Sequence, residues 1–204
     1  MTIRAVVFDI GGVLEITPDR GVTAQWEGRL HLEPGELGRR MGDVWRDGSL
    51  GKRSEEDVRR SLGAILEMDQ ARVDAFMQDI WDEYLGELNG ELAAYFTGLR
   101  PRYQTALLSN SFVGARSREQ ERYHFAEMTD LIIYSHEVGV AKPEPRIFEL
   151  TWERLGMRPN DIVFLDDVEA NVAAARALGL HAVLFSDTAQ AIADIQACLQ
   201  AQAS

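Results

Sequence analysis

The feature that most constrains this chain is a rhythm of short apolar runs and helical patterns. The runs fall at residues 4–9, 104–109, 131–135, 162–166 and 182–185. They are largely apolar along their whole length, the pattern of strands buried on both faces. Helical periodicity separates the later ones, at 146–155, 169–178 and 188–199. Such alternation predicts an α/β protein, a parallel sheet layered between helices in a three-layer α/β/α core.

The stretch between the first run and the rest, about 17–86, has helical periodicity and no convincing strand. Leu37, Met41, Val44 and Trp45 share one helical face, as do Val58, Leu62, Ile65 and Leu66, and again Val73, Phe76, Met77, Ile80, Trp81 and Tyr84. Residues 46–54 read as a connecting loop, and Ser54 with Asp57 three residues on reads as a helix start. Trp26, Trp45 and Trp81 lie on apolar faces and are read as core of this helical insertion.

Charge and composition narrow the partners. The 204 residues carry a net charge of −12, with 33 acidic against 21 basic side chains. Nucleic acid and anionic membranes are therefore not expected, since both demand basic surface. No apolar run reaches the ~18 residues of a membrane helix. The first apolar stretch runs straight into Asp9, unlike a secretory leader. Cys198 has no partner for an internal disulfide and lies in an apolar-periodic helix, so it is read as packed. These readings predict a soluble, cytoplasmic protein, monomer or homodimer.

Polar residues gather where the runs end. The first ends Phe8-Asp9-Ile10-Gly11-Gly12, the second Leu108-Ser109-Asn110-Ser111, and the fourth Leu165-Asp166-Asp167. After the third comes Ala141-Lys142-Pro143-Glu144-Pro145, a lysine before a helix start. Ligands of open α/β sheets sit beyond the carboxyl ends of strands. Carboxylates from two strands suit a hard cation such as Mg²⁺. A hydroxyl, a lysine and free backbone amides suit a phosphoryl group. Together they support attack of a carboxylate on phosphorus and hydrolysis of the resulting aspartyl-phosphate.

With those four motifs in that order, the chain resembles the haloacid dehalogenase-like hydrolases over essentially its whole length. Residues 8–13, 142–147 and 164–167 further resemble the bacterial glucose-1-phosphatase-like phosphatases within them. The resemblance implies a Rossmann-like core at 1–15 and 88–204 and a helical cap at 16–87. It implies Asp9 as nucleophile and metal ligand and Gly11 as a carbonyl ligand. Ser109 would bond the transferring phosphoryl group beside Asn110 and Gly12, and Lys142 would neutralise it. Asp167 is the favoured direct metal ligand, with Asp166 direct or through water. The implied cofactor is Mg²⁺ and the implied partner a small phosphorylated metabolite, a sugar phosphate or similar.

One departure matters. Most phosphatases of the family carry a second Asp two residues after the nucleophile, where this chain has Gly11, which moves no proton. One reading is a phosphatase of esters with good leaving groups, helped by water or by Glu15, Asp19, His31, Asp43 or Arg46, although each of these is read as a solvated surface group. A second is a haloacid dehalogenase acting through an Asp9 ester, a branch that also lacks the second Asp. Its members replace the acidic pair that Asp166 and Asp167 retain here. A third is a non-catalytic relative that binds a phosphorylated ligand. Asn171, His124, His136 and His181 are read as structural or surface residues, Arg116 as a surface residue, and Trp45, Arg46 and Lys52 as candidates for specificity.

Overall fold

The computed structural model describes residues 2–200. The chain runs from β1 (Ala5–Phe8) through a two-residue strand, β2 (Glu15–Ile16), into four helices: α1 (Val22–Arg29), α2 (Glu36–Ser49), α3 (Glu55–Ile65) and α4 (Gln70–Tyr84). A second two-residue strand, β3 (Glu87–Leu88), returns it to α5 (Gly90–Gly98) and β4 (Gln104–Ser109). Then come α6 (Ala115–Tyr123), α7 (Phe125–Met128), β5 (Leu131–Tyr134), α8 (Ser135–Val138) and α9 (Pro145–Leu155). A 3₁₀ turn at Pro159–Asp161 leads to β6 (Ile162–Asp166), α10 (Glu169–Ala177), β7 (His181–Leu184) and α11 (Thr188–Gln200).

Five strands form one parallel sheet in the order β5-β4-β1-β6-β7. Successive side chains of a strand point to opposite faces, and here both faces are covered. Val6 and Phe8 pack with Leu107, Leu165 and Phe96 of α5 on one side. Ala5 and Val7 pack with Leu108, Phe164 and Phe148 of α9 on the other. That double burial explains why the strands read as continuous apolar runs and confirms the three-layer α/β/α core.

β1 is central, with β4 on one flank and β6 on the other, so strand order reverses at β1 and a crevice opens beyond its end. Phe8 is level with Leu165 in the ladder, and so the next residues, Asp9 and Asp166, emerge at one height. Ser109 ends β4 one residue further along.

Helices α1–α4 have an apolar cluster of their own, built on Trp26, Met41, Leu62, Phe76, Met77 and Trp81. The antiparallel ribbon of β2 and β3 joins this block to the sheet, with Glu15 opposite Leu88 and Ile16 opposite Glu87. The start of α3 follows the sequence reading, since Ser54 and Asp57 form a reciprocal capping box. The loop expected at 46–54 is shorter, because α2 continues through Arg46, Asp47 and Gly48 to Ser49. Packing supplies the reason. Gly48 is buried against the Phe112 ring, where an added Cβ would come within 2.3 Å, and the Val113 N–H donates to its carbonyl at 3.3 Å. No helix among the described residues is long and apolar enough to cross a membrane.

Candidate active site

Asp9 follows β1 directly, and its own N–H continues the sheet ladder by donating to the Leu165 carbonyl at 2.9 Å. The carboxylate is 6% exposed as part of the residue, and its Oδ1 accepts from the Ile10 N–H at 2.8 Å. The ammonium of Lys142 stands 2.7 Å from that same Oδ1 and 2.7 Å from Asp166 Oδ2. It also donates to the Leu108 carbonyl at 2.8 Å. The side chains of Lys142 and Asp166 are wholly buried, so this ion pair is unscreened by water and held by geometry. Burial pushes the Asp9 carboxyl up to about 7; Lys142 opposes the rise and Asp166 adds to it.

Two adjacent aspartates at the end of β6 have different environments. Asp166 is saturated, accepting from Lys142, from the Val168 N–H at 2.8 Å and from Asn171 Nδ2 at 2.9 and 3.1 Å. Asn171, read from sequence as a structural residue, is the buried clamp on Asp166. Asp167 is exposed, and desolvation followed by the charge of Asp166 raises its carboxyl above the usual range. Oxygen atoms of Asp9, Asp166 and Asp167 lie within 4.8 Å of one another. Three carboxylates here face one ammonium, an excess of negative charge in a largely desolvated place. An all-oxygen donor set of that charge fits a hard divalent cation.

Glycine matters at one of the two glycine positions that follow β1, Gly11 and Gly12. Gly12 has φ +74°, a left-handed conformation that favours glycine, and a Cβ there would stand 2.1 Å from Asp167 Oδ2, so a larger residue would also push that carboxylate aside. Gly11 is open, with nothing within 4 Å of where a Cβ would be. Ser109, 2% exposed, sits at the end of β4. Asn110, expected at the substrate, engages Lys142 through both ends of its amide. It donates to the Lys142 carbonyl and accepts from the Lys142 N–H, each at 2.8 Å, and thereby positions the lysine.

Beside Asn110 a cavity of about 460 Å³ separates the sheet end from the helical block. Trp45, Ile80 and Trp81 line it together with Phe112. Sequence reading placed Trp45 and Trp81 in the core; Trp81 is buried there and also borders the cavity, whereas Trp45 is half-buried on the cavity wall. Their periodicity could not separate these roles, because a cavity wall and a core face are equally apolar. Arg46 pairs with Asp43 on the surface, and Lys52 is exposed. Among the suggested proton-transfer helpers, Asp19, His31, Asp43 and Arg46 are exposed as expected. Glu15 is not: it opens β2, within the β2–β3 ribbon, and is 2% exposed. Arg116 pairs with Glu137 at 2.5 and 2.7 Å and leaves the site alone.

A three-layer α/β fold with an aspartate facing a lysine at its switch point fits a class of hydrolases with this layered core. The chain belongs to the haloacid dehalogenase-like hydrolases, whose family profile matches residues 3–179. It is 28% identical over 96% of its length to acyl-CoA dehydrogenase family member 10 of Mus musculus, and spans only 19% of that protein. It is 26% identical to the D-ribitol-5-phosphate phosphatase of Bacteroides thetaiotaomicron, over 88% of this chain and 90% of that one. A solved family enzyme from Bacteroides thetaiotaomicron, in complex with magnesium and inorganic phosphate, superimposes with a TM-score of 0.77. It is 21% identical, and the match covers 90% of this chain and 94% of that one.

Proposed function

We propose that this chain is a Mg²⁺-dependent phosphatase that hydrolyses a small phosphomonoester through an aspartyl-phosphate on Asp9. The observation that carries the reading is the buried Lys142 ammonium, 2.7 Å from both Asp9 and Asp166, with Asp167 alongside. Asp9, Asp167 and the Gly11 carbonyl would hold the cation, and Asp166, already saturated, would act on it through water. When bound, the cation supplies charge compensation for the carboxylates and for the phosphoryl oxygens.

The chain's own residues do the rest. Lys142 and the Ile10 N–H hold Asp9 Oδ1, which leaves Oδ2 as the attacking atom. Oδ2 forms a bond to phosphorus as the bond to the leaving oxygen breaks, and that oxygen departs with its electron pair. Water then attacks phosphorus, releasing inorganic phosphate and restoring the Asp9 carboxylate. The Ser109 hydroxyl would meet a phosphoryl oxygen and the charge of Lys142 would neutralise the group, whereas the Gly12 N–H, expected there from the sequence, already donates to the Glu15 carbonyl at 2.8 Å. Residues 16–87, which carry helices α1–α4, would act as a cap over the site, excluding bulk water. The dehalogenase alternative has less support, because the retained Asp166 and Asp167 burden a site for an anionic haloacid with extra negative charge.

Phosphate release from acetyl phosphate and a panel of monoesters tests this, with Mg²⁺, with chelator, and with Asp9→Asn. Turnover should need the metal and fall at least about 10³-fold in the variant. Wild-type turnover by Asp9→Asn would refute the mechanism, and chloride release from 2-chloropropionate without phosphatase activity would favour the dehalogenase.

A further inference from the structure

The cavity between the helices and the sheet end says more about the leaving group than the phosphoryl site does. Its walls are mostly apolar, with Leu37, Trp45, Ile80, Trp81 and Phe112 outweighing the hydroxyls of Thr23 and Ser49, and no charged side chain lines it. Asn110 and Ala141, the sequence neighbours of Ser109 and Lys142, are among its lining residues. The aromatic walls are fixed in place. Trp45 meets Phe112 edge-on at 5.7 Å between centroids and stacks on Phe76 at 6.2 Å with an interplanar angle of 11°. Gly48 lets Phe112 close against α2.

Several polar groups at the wall are already engaged by the protein itself. The Tyr84 hydroxyl donates to Glu119 at 3.1 Å. Ser111 Oγ is paired with His136 Nδ1 at 2.6 Å, and Ser135 Oγ donates to the Ser49 carbonyl at 2.9 Å. Asn110 is spent on Lys142. Thr23 and Ser49 offer two hydroxyls, too few for a polyhydroxylated leaving group, which would lose water at about 1–3 kcal/mol for each hydroxyl left unsatisfied. An apolar ring would face surfaces that already prefer it.

Gly11 points the same way. With no acid beside the leaving oxygen, that oxygen departs best as a stable anion, and a phenol with a pKa of about 10 does so far more readily than a sugar alcohol. The volume of about 460 Å³ falls in the range of small-molecule sites. We infer that the preferred substrate is the phosphate monoester of an apolar phenol, its ring seated between Trp45, Phe112 and Ile80 and its phosphate at Asp9. This rests on the phosphatase reading above and narrows its substrate class. In the reaction the aryl oxygen leaves phosphorus with the bonding pair and takes a proton from solvent. The net change is ester plus water to free phenol and inorganic phosphate.

The test compares four esters with the Mg²⁺-loaded protein: phenyl phosphate, benzyl phosphate, glucose 6-phosphate and acetyl phosphate. Benzyl and glucose esters both leave as alkoxides, so their ratio isolates the cavity, and phenyl against benzyl isolates the leaving group. Benzyl phosphate should exceed glucose 6-phosphate in kcat/KM by at least about tenfold, and phenyl phosphate should exceed both. Binding gives a readout free of turnover: phenylphosphonate should bind at least about tenfold tighter than methylphosphonate by calorimetry, and Trp45→Ala should erase most of that gap. Turnover of acetyl phosphate with no aromatic preference would overturn the inference and leave the phosphatase reading standing. No phosphate from any ester, acetyl phosphate included, would remove the phosphatase reading and the substrate class with it.

Discussion

Glu15 offers a sharp test of how the helical block is tied to the sheet. It opens β2, is 2% exposed, and its Oε2 is buried without a hydrogen-bond partner. Burial first, and then the nearby Glu119 carboxylate, push its pKa from 4.5 to about 8, partly offset by the Gly86 backbone. Glu119 is itself raised by burial, although the Tyr134 and Tyr84 hydroxyls donate to it at 2.5 and 3.1 Å. The sign follows from linkage. Between pH 4.5 and about 8 the folded protein keeps a proton on Glu15 that the unfolded chain has lost, so stability is fully present below 4.5 and falls as pH rises through 8. At about 1.4 kcal/mol per unit, the full loss is about 5 kcal/mol. Glu15→Gln removes the titration while keeping the shape. Urea unfolding followed by tryptophan fluorescence from pH 5 to 9 should show the two proteins within about 1 kcal/mol at pH 5. At pH 9 the variant should be more stable by at least about 2 kcal/mol. Parallel stability curves across that range would refute the reasoning, since they would mean that Glu15 is already ionised in the fold.

Two further changes probe the site. Asn110→Ala removes the two-way clasp on the Lys142 backbone, and turnover should fall about 10–100-fold with the melting temperature nearly unchanged; wild-type kcat would show that Lys142 is held by other means. Gly11→Asp places a carboxyl where nothing lies within 4 Å of the new Cβ, and the rate on alkyl phosphates relative to aryl phosphates should rise at least about tenfold. An unchanged ratio would mean that proton delivery does not limit alkyl esters.

The sheet was legible because β1, β4 and β6 are buried on both faces and so lack polar alternation. Their ends were legible because Asp9, Ser109 and Asp166 interrupt apolar runs where no solvent-facing role was available. The β2–β3 ribbon was not, since two residues per strand carry no period. Nor was the burial of Glu15, whose neighbours Glu119 and Gly86 lie far along the sequence. The extension of α2 to Ser49 depended on Phe112 meeting Gly48, a contact between residues 64 positions apart that no local propensity encodes.

The adjacent pair at the end of β6 shows what the fold adds to a motif. In sequence Asp166 and Asp167 are equivalent carboxylates at a strand end. In the fold the first is sealed, with Lys142, Val168 and Asn171 occupying its oxygens, and the second reaches the surface beside Gly12. Detaching Asp166 for direct ligation would strand the buried ammonium of Lys142 and the amide of Asn171, and a buried charge left without its partner costs several kcal/mol. Asp167 surrenders no comparable partner. On the proposed reading the division of work between them, one fixing the lysine and one free for a cation, would be set by burial, with Gly12 leaving room for the second carboxylate.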